Sequence, residues 1–207
     1  MDALERAHQR LPDEALCRQR AQAATSGAVE TGATWPYLWP GGLRLAADLS
    51  ELVHPDPRLR VVDLGCGRGL LGMLALEMGF QEVCFADGDP LPLACLDAQL
   101  TDAPGAHTAL VHWGQALPGP GADLILGGDV LYRPEYHDQL LATIAASLNR
   151  HGQALLSDPR SCLEAHLPDL ATAHGLHLSM EERPGPYTLL RLSPARGDLR
   201  AAQANLA

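Results

Sequence analysis

Gly65, Gly67 and Gly69 follow the apolar run Val61-Val62-Asp63-Leu64 and precede a second apolar run that starts at Leu70. Glycine lets a chain turn sharply and lets its backbone approach a ligand with no Cβ in the way. The unpaired N–H groups of a following helix then face any polar or anionic group held there. The next apolar run ends at Asp87, where a carboxylate can accept hydrogen bonds from a ribose diol. Together these residues read as a nucleotide-binding turn.

Two ligand classes fit such a turn. Gly67-Arg68-Gly69-Leu70-Leu71-Gly72 satisfies the dinucleotide fingerprint literally, which points to a nicotinamide or flavin dinucleotide. Asp63 points elsewhere. A carboxylate at the strand end repels a pyrophosphate and suits the cationic amino-acid end of S-adenosylmethionine (SAM). Gly65 also places the turn directly after the strand. These residues favour SAM and leave the dinucleotide open.

Other residues carry a functional and a structural reading side by side. Asp129 and Tyr132 close the apolar run Asp123–Leu126, at the edge where open α/β sheets bind ligands. Asp129 can equally cap the helix that follows. Trp113, after Val111-His112, can pack on a flat ring or join the core. Trp39 stands in a loop before Pro40-Gly41-Gly42, where a large aromatic covers either a cofactor or the core. Asp158 and Arg160 end another strand and serve either substrate or a surface salt bridge. The nine histidines form no HExxH cluster, and His174-x-x-His177 reads as a helix-end pair, so no metal is implied. No Cys/His or Ser/His nucleophile arrangement follows from the spacing.

Positioning these residues takes an alternating framework. Short apolar runs occur at Leu59–Leu64, Val83–Ala86, Thr108–His112, Asp123–Leu126, Ala154–Ser157, Leu176–Met180 and Thr188–Leu192. Helical periodicity fills the gaps at Leu70–Met78, Leu91–Leu100, Glu135–Leu148 and Cys162–His174, after an earlier helix from Leu43 to about Val53. The order predicts a doubly wound α/β domain with a seven-stranded, mostly parallel sheet. The link from Glu181 to Tyr187 contains Pro184-Gly185-Pro186 and is too short for a crossover. The last two strands should therefore form an antiparallel hairpin. The expected organisation is a polar helical appendage over 1–24, one domain over 25–195 and a tail over 196–207.

Composition narrows the classes further. The chain has 207 residues, 46% of them hydrophobic, which suits one domain with a sizeable core. Its net charge of −10 argues against a nucleic-acid surface, and no apolar run approaches the roughly 20 residues of a membrane span. All fifteen basic residues are arginine. The charged N-terminus lacks a signal-peptide apolar region, and the five scattered cysteines suit free thiols in a reducing cytosol, so a cytoplasmic location is expected.

With Asp63-Leu64-Gly65-Cys66-Gly67-Arg68-Gly69, Asp87 and Asp129-Val130-Leu131-Tyr132 in place, the chain resembles the seven-strand class I SAM-dependent methyltransferases, of Rossmann-like fold. It looks most like their protein-lysine subgroup, whose members carry an acidic-x-x-aromatic motif after the fourth strand. Within that subgroup it is most similar to the electron-transfer flavoprotein β-subunit lysine methyltransferases. The segments Trp35-Pro36-Tyr37-Leu38-Trp39-Pro40-Gly41-Gly42, Ala86-Asp87-Gly88-Asp89-Pro90 and Leu126-Gly127-Gly128-Asp129-Val130-Leu131-Tyr132 carry that closer match. Ser157-Asp158-Pro159-Arg160 departs from the subgroup by lacking two glycines. The likeness spans about Gly32 to Arg160.

The resemblance implies that Trp39, Gly65, Cys66, Gly67, Asp87, Trp113 and Gly128 line the SAM site, beside Asp63 and Gly69 from the turn itself. It implies a protein substrate whose lysine is oriented by Asp129 and walled by Tyr132, with Tyr37 or Trp35 along the lysine stem. Asp129 is too weak a base to deprotonate an amine of reference pKa about 10.4, so the proton goes to water. A small-molecule N- or O-methyltransferase and a catalytically silent SAM-binding protein are the alternatives. Oligomeric state is not legible.

Overall fold

The computed structural model describes residues 1–25, 34–159, 166–185 and 187–195. Seven strands, β1 (Arg60–Leu64), β2 (Glu82–Asp87), β3 (Ala106–Leu110), β4 (Ala122–Gly128), β5 (Leu148–Asp158), β6 (Leu176–Arg183) and β7 (Tyr187–Pro194), form one sheet in the order β3-β2-β1-β4-β5-β7-β6. β1 to β5 pair in parallel, while β7 runs antiparallel to both β5 and β6. The expected doubly wound sheet with its terminal hairpin is present.

Strand side chains alternate between two buried faces, which is why these strands read as continuous apolar runs. Val61, Val83, Phe85, Leu124, Leu126 and Leu155 face one core. Val62, Cys84, Ala86, Ile125, Ala154 and Leu156 face the other. The first core is covered by α1 (Ala3–Arg10), α3 (Pro40–Leu52), α4 (Leu70–Met78) and α5 (Pro90–Asp97), the second by α6 (His137–Ser147) and α7 (Leu167–Ala173). α4 is apolar nearly all round because it is pressed into the sheet. A Cβ on its Gly72 would lie 2.3 Å from Phe85 Cε1. Among the described residues, no helix is long and apolar enough to cross a membrane.

The N-terminal segment differs from the single helix expected over 1–24. It is two helices, α1 and α2 (Glu14–Thr25), separated at Leu11-Pro12-Asp13. Pro12 disfavours helical geometry at the residue before it, and Leu11 is extended at φ −65°, ψ 143°. α1 carries a capping box between Asp2 and Glu5 and inserts Ala7 into the first core. Its Arg6 and Arg10 hold Glu77 of α4 at 2.6 and 3.1 Å. Other boundaries also moved. The helix expected over Glu135–Leu148 begins as a 3-10 turn at Pro134–Tyr136 before α6. β5 starts six residues earlier than its apolar core, through polar Asn149, Arg150 and His151. The start of the helix expected from Cys162, together with Arg160 and the tail 196–207, lies outside the described residues. His174 ends α7, whereas His177 belongs to β6, so the two are not a helix-end pair.

Candidate active site

The glycine turn leaves β1 with three left-handed residues: Gly65 at φ +68°, Gly67 at +48° and Gly69 at +83°. The amides of Gly65 and Cys66 donate to the Ala86 carbonyl on β2, at 2.8 and 3.0 Å, and so lock the turn to the neighbouring strand. Asp87 closes the same loop from the end of β2. Its two oxygens accept from Gly67 N at 2.9 Å and Asp89 N at 3.0 Å. Burial pushes the Asp87 carboxyl above its ordinary range, against those backbone hydrogen bonds. Burial likewise pushes the Cys66 thiol well up, so it behaves as an uncharged wall.

Asp63 lies one turn deeper. It is buried and accepts from Gly72 N at 2.8 Å, inside the first turn of α4. Burial pushes its carboxyl up to about 8, with Asp87 adding to the rise. The unfolded chain releases that proton near an ordinary pKa of about 3.9. Between those values the native state binds more protons. The contribution to stability is therefore complete below about pH 4 and is lost as pH rises through about 8. Asp63→Asn should lose less stability than the wild type between about pH 5 and about pH 8, read by urea unfolding at each pH. Parallel pH profiles for the two proteins would refute the assignment.

Across the sheet, β4 ends in Gly127-Gly128, and Asp129 follows in the left-handed region at φ +57°. Asp129 N donates to the Ser157 carbonyl at 2.9 Å, and its Oδ2 accepts from Gly42 N at 2.9 Å. Gly42 is the third residue of α3, so Asp129 is a cap. The helix it caps stands 87 positions earlier instead of following the motif. The fit is tight. A Cβ on Gly41 would sit 2.6 Å from Asp129 Oδ2, and one on Gly128 would sit 2.5 Å from Gly42 Cα.

One cavity of about 630 Å³ gathers these parts, between Asp63, Gly65, Cys66, Gly67 and Asp87 on one side and Gly128, Asp129 and Tyr132 on the other. Trp39 and Trp113 also line it. Trp113 packs against the second core as well, and its ring would lie 3.6 Å from a Cβ on Gly65. Of the sequence-predicted site residues only Gly69 is not in the lining. Its missing side chain makes room for protein, since a Cβ there would meet Leu96 at 2.6 Å and Phe85 at 3.0 Å. Asp158, the further candidate at the end of β5, is fully buried and does not line the cavity.

The mouth is walled by the segment that precedes α3. Trp39 holds the position before that helix and donates from Nε1 to the Thr34 carbonyl at 3.0 Å. Tyr37 is half-exposed, while Trp35 is buried against Cys17, Ala21 and Cys95. Sequence reasoning missed Arg68, Asp89, His112 and Arg133, which line the same cavity. Arg68, between two turn glycines, points back to the N-terminal segment. It donates to the Pro12 carbonyl at 2.8 and 3.1 Å and pairs with Glu14 at 3.0 Å. Asp89 caps α5 through Leu91 N, a role legible from the Asp-Pro step that opens that helix.

Comparison with known proteins joins this geometry to a family. The chain is 33% identical over 117 residues to the histone-arginine methyltransferase METTL23 of Rattus norvegicus, covering 52% of this chain and 51% of that protein. It is 32% identical over 149 residues to the electron transfer flavoprotein beta subunit lysine methyltransferase of Danio rerio, covering 64% and 52%. The chain thus matches about half the length of these relatives. Among solved structures, a TehB-like SAM-dependent methyltransferase from Corynebacterium glutamicum superposes with a TM-score of 0.60 at 17% identity, covering 88% of this chain and 100% of that one. That likeness speaks for the fold. The sequence profile described as lysine methyltransferase matches residues 37–164, which takes in the mouth segment from Tyr37 onward, the glycine turn and the Asp129–Tyr132 motif. The chain belongs to the lysine methyltransferase family.

Proposed function

We propose that this chain transfers the methyl group of SAM to a lysine side chain of a protein. The observation that carries the reading is the single cavity in which a nucleoside-shaped cradle meets a carboxylate at an open, aromatic mouth. SAM fits the residues present. Gly65 and Gly67 leave the turn without Cβ atoms, Asp87 offers a buried carboxylate to a ribose, and Trp113 offers a flat face. Asp63 supplies a buried carboxyl that, although desolvation favours its protonated form, ionises more readily once an ammonium lies beside it. When bound, the cofactor supplies an electrophilic methyl carbon on a sulfonium.

The remaining work is positional, since an in-line displacement needs a neutral amine held at the right distance. Asp129 is fixed at the N-terminus of α3, and the positive end of a helix favours an ionised carboxylate. It therefore orients an incoming ammonium and is a poor base, and the proton leaves to water. Tyr132 walls the channel beside it. The four described cysteines are free thiols, which supports the expectation of a reducing, cytoplasmic setting. The electron transfer flavoprotein β subunit is the protein to try first, on the strength of the Danio rerio relative.

The test uses SAM labelled in its methyl group and a whole-cell lysate from the source. Label on protein lysine is the expected result; label on arginine or on a small molecule would overturn it. In parallel, SAM at a hundred times its Kd should add about 2.7 kcal/mol of stability, and NAD none.

A further inference from the structure

Two aromatic–arginine stacks flank the mouth of the cavity. On one side the Arg18 guanidinium lies 4.8 Å from the Tyr37 ring centroid, with Trp39 edge-on to Tyr37 at 6.4 Å. On the other, the Arg133 guanidinium lies 5.7 Å from the Tyr132 ring and 5.8 Å from the Tyr136 ring. The four rings are between 38% and 49% exposed. Tyrosine, tryptophan and arginine presented together are the composition of binding hot spots in protein interfaces, and they are unusual on a merely solvated surface.

The two arginines are not equivalent. Arg18 is already neutralised by Glu14 of its own helix. Arg133 lines the cavity and, among the described residues, has its two ring contacts and no carboxylate partner. This is notable in a chain with a net charge of −10, where acids outnumber bases 25 to 15. A guanidinium laid on aromatic faces is pre-organised, and its planar fork takes a carboxylate in two parallel hydrogen bonds.

We propose that Arg133 selects protein substrates that carry an acidic side chain beside the target lysine, with the flanking segment lying across Tyr132 and Tyr136. The inference rests on the lysine-methylation reading and adds the class of substrate. Asp129 and Arg133 then act as a pair of opposite charges spaced along one loop. The first faces the target ammonium, and the second faces the carboxylate next to it. A basic flank would meet repulsion at Arg133, so the mouth discriminates by charge as well as by attraction.

The experiment compares fluorescein-labelled peptides with one lysine flanked by Glu, Gln or Arg, measuring both binding and methyl transfer from labelled SAM. The proteins are wild type, Arg133→Gln and Arg133→Glu, with SAM titration as the folding control. Wild type should favour the Glu-flanked over the Arg-flanked peptide by about tenfold or more in kcat/KM. Arg133→Gln should flatten the preference, and Arg133→Glu should invert it. Equal ranking in wild type and Arg133→Glu would overturn the proposal, as would equal binding of all peptides by wild type. Glu-selective binding that responds to Arg133 but leads to no methylated lysine would overturn the lysine reading while leaving the charge selection standing.

Discussion

Asp129→Ala is expected to lower turnover about a hundredfold or more while SAM affinity changes by only a few-fold. Two losses combine. The carboxylate proposed to orient the amine disappears, and so does the cap on Gly42 N at the start of α3. The cap contributes about 0.5–2 kcal/mol. Alanine at φ +57° adds backbone strain of about 1–2 kcal/mol. Asp129→Asn separates these contributions, because asparagine tolerates the left-handed region and its amide oxygen can still accept from Gly42 N. If charge docks the amine, the Asn protein should keep its melting temperature near wild type yet lose most of its turnover. Titration with SAM, thermal unfolding and methyl transfer on all three proteins decide the matter. Full activity in the Asn protein would make Asp129 a cap alone. On the proposed mechanism, activity of the wild type should climb on the alkaline side, since the amine must shed its proton before it attacks.

Asp87→Ala should weaken SAM binding by about a hundredfold, with turnover largely restored at saturating SAM. Its carboxylate is positioned before any ligand arrives, by Gly67 N on one oxygen and Asp89 N on the other. Removing it deletes the acceptor proposed for the ribose and strands the Gly67 and Asp89 amides. If Asp87 holds the ribose as proposed, the loss falls on ground-state binding, because Asp87 closes the glycine-turn part of the cavity. Calorimetry on the variant provides the check. An unchanged affinity would reduce Asp87 to a turn carboxylate, and an equal fall in saturated turnover would give it a part in the chemistry.

What was legible in the sequence was what short-range physics controls. α4 was found at its observed bounds, Leu70–Met78, because glycines flank it and apolar residues fill it. The strand order's signature and the terminal hairpin were legible for the same reason: alternation and turn residues act over a few positions. Features set by distant partners were not. The structural alternative for Asp129 placed its cap on the helix that follows, whereas the helix it caps is 87 residues away. Gly69 matched a ligand fingerprint, yet the need for glycine there comes from Leu96 and Phe85, which only the folded chain brings near. The polar N-terminal stretch hid a break at Pro12, since its weak periodicity gave no phase to interrupt. Arg68 looked like a spacer between glycines, and nothing local joins it to Pro12 and Glu14.

The left-handed backbone at Asp129 also governs which residues selection can place there. At φ +57° only glycine, asparagine and aspartate sit with little strain, because a short polar side chain or none avoids the carbonyl that Cβ crowds. Glutamate carries the same charge on a longer arm and gains no such relief. A chemical demand for negative charge would accept either acid, but this loop accepts one. Constancy of aspartate at this position among chains folded the same way would therefore have two independent causes: the backbone narrows the choice to glycine, asparagine and aspartate, and a demand for charge picks the acid from those three.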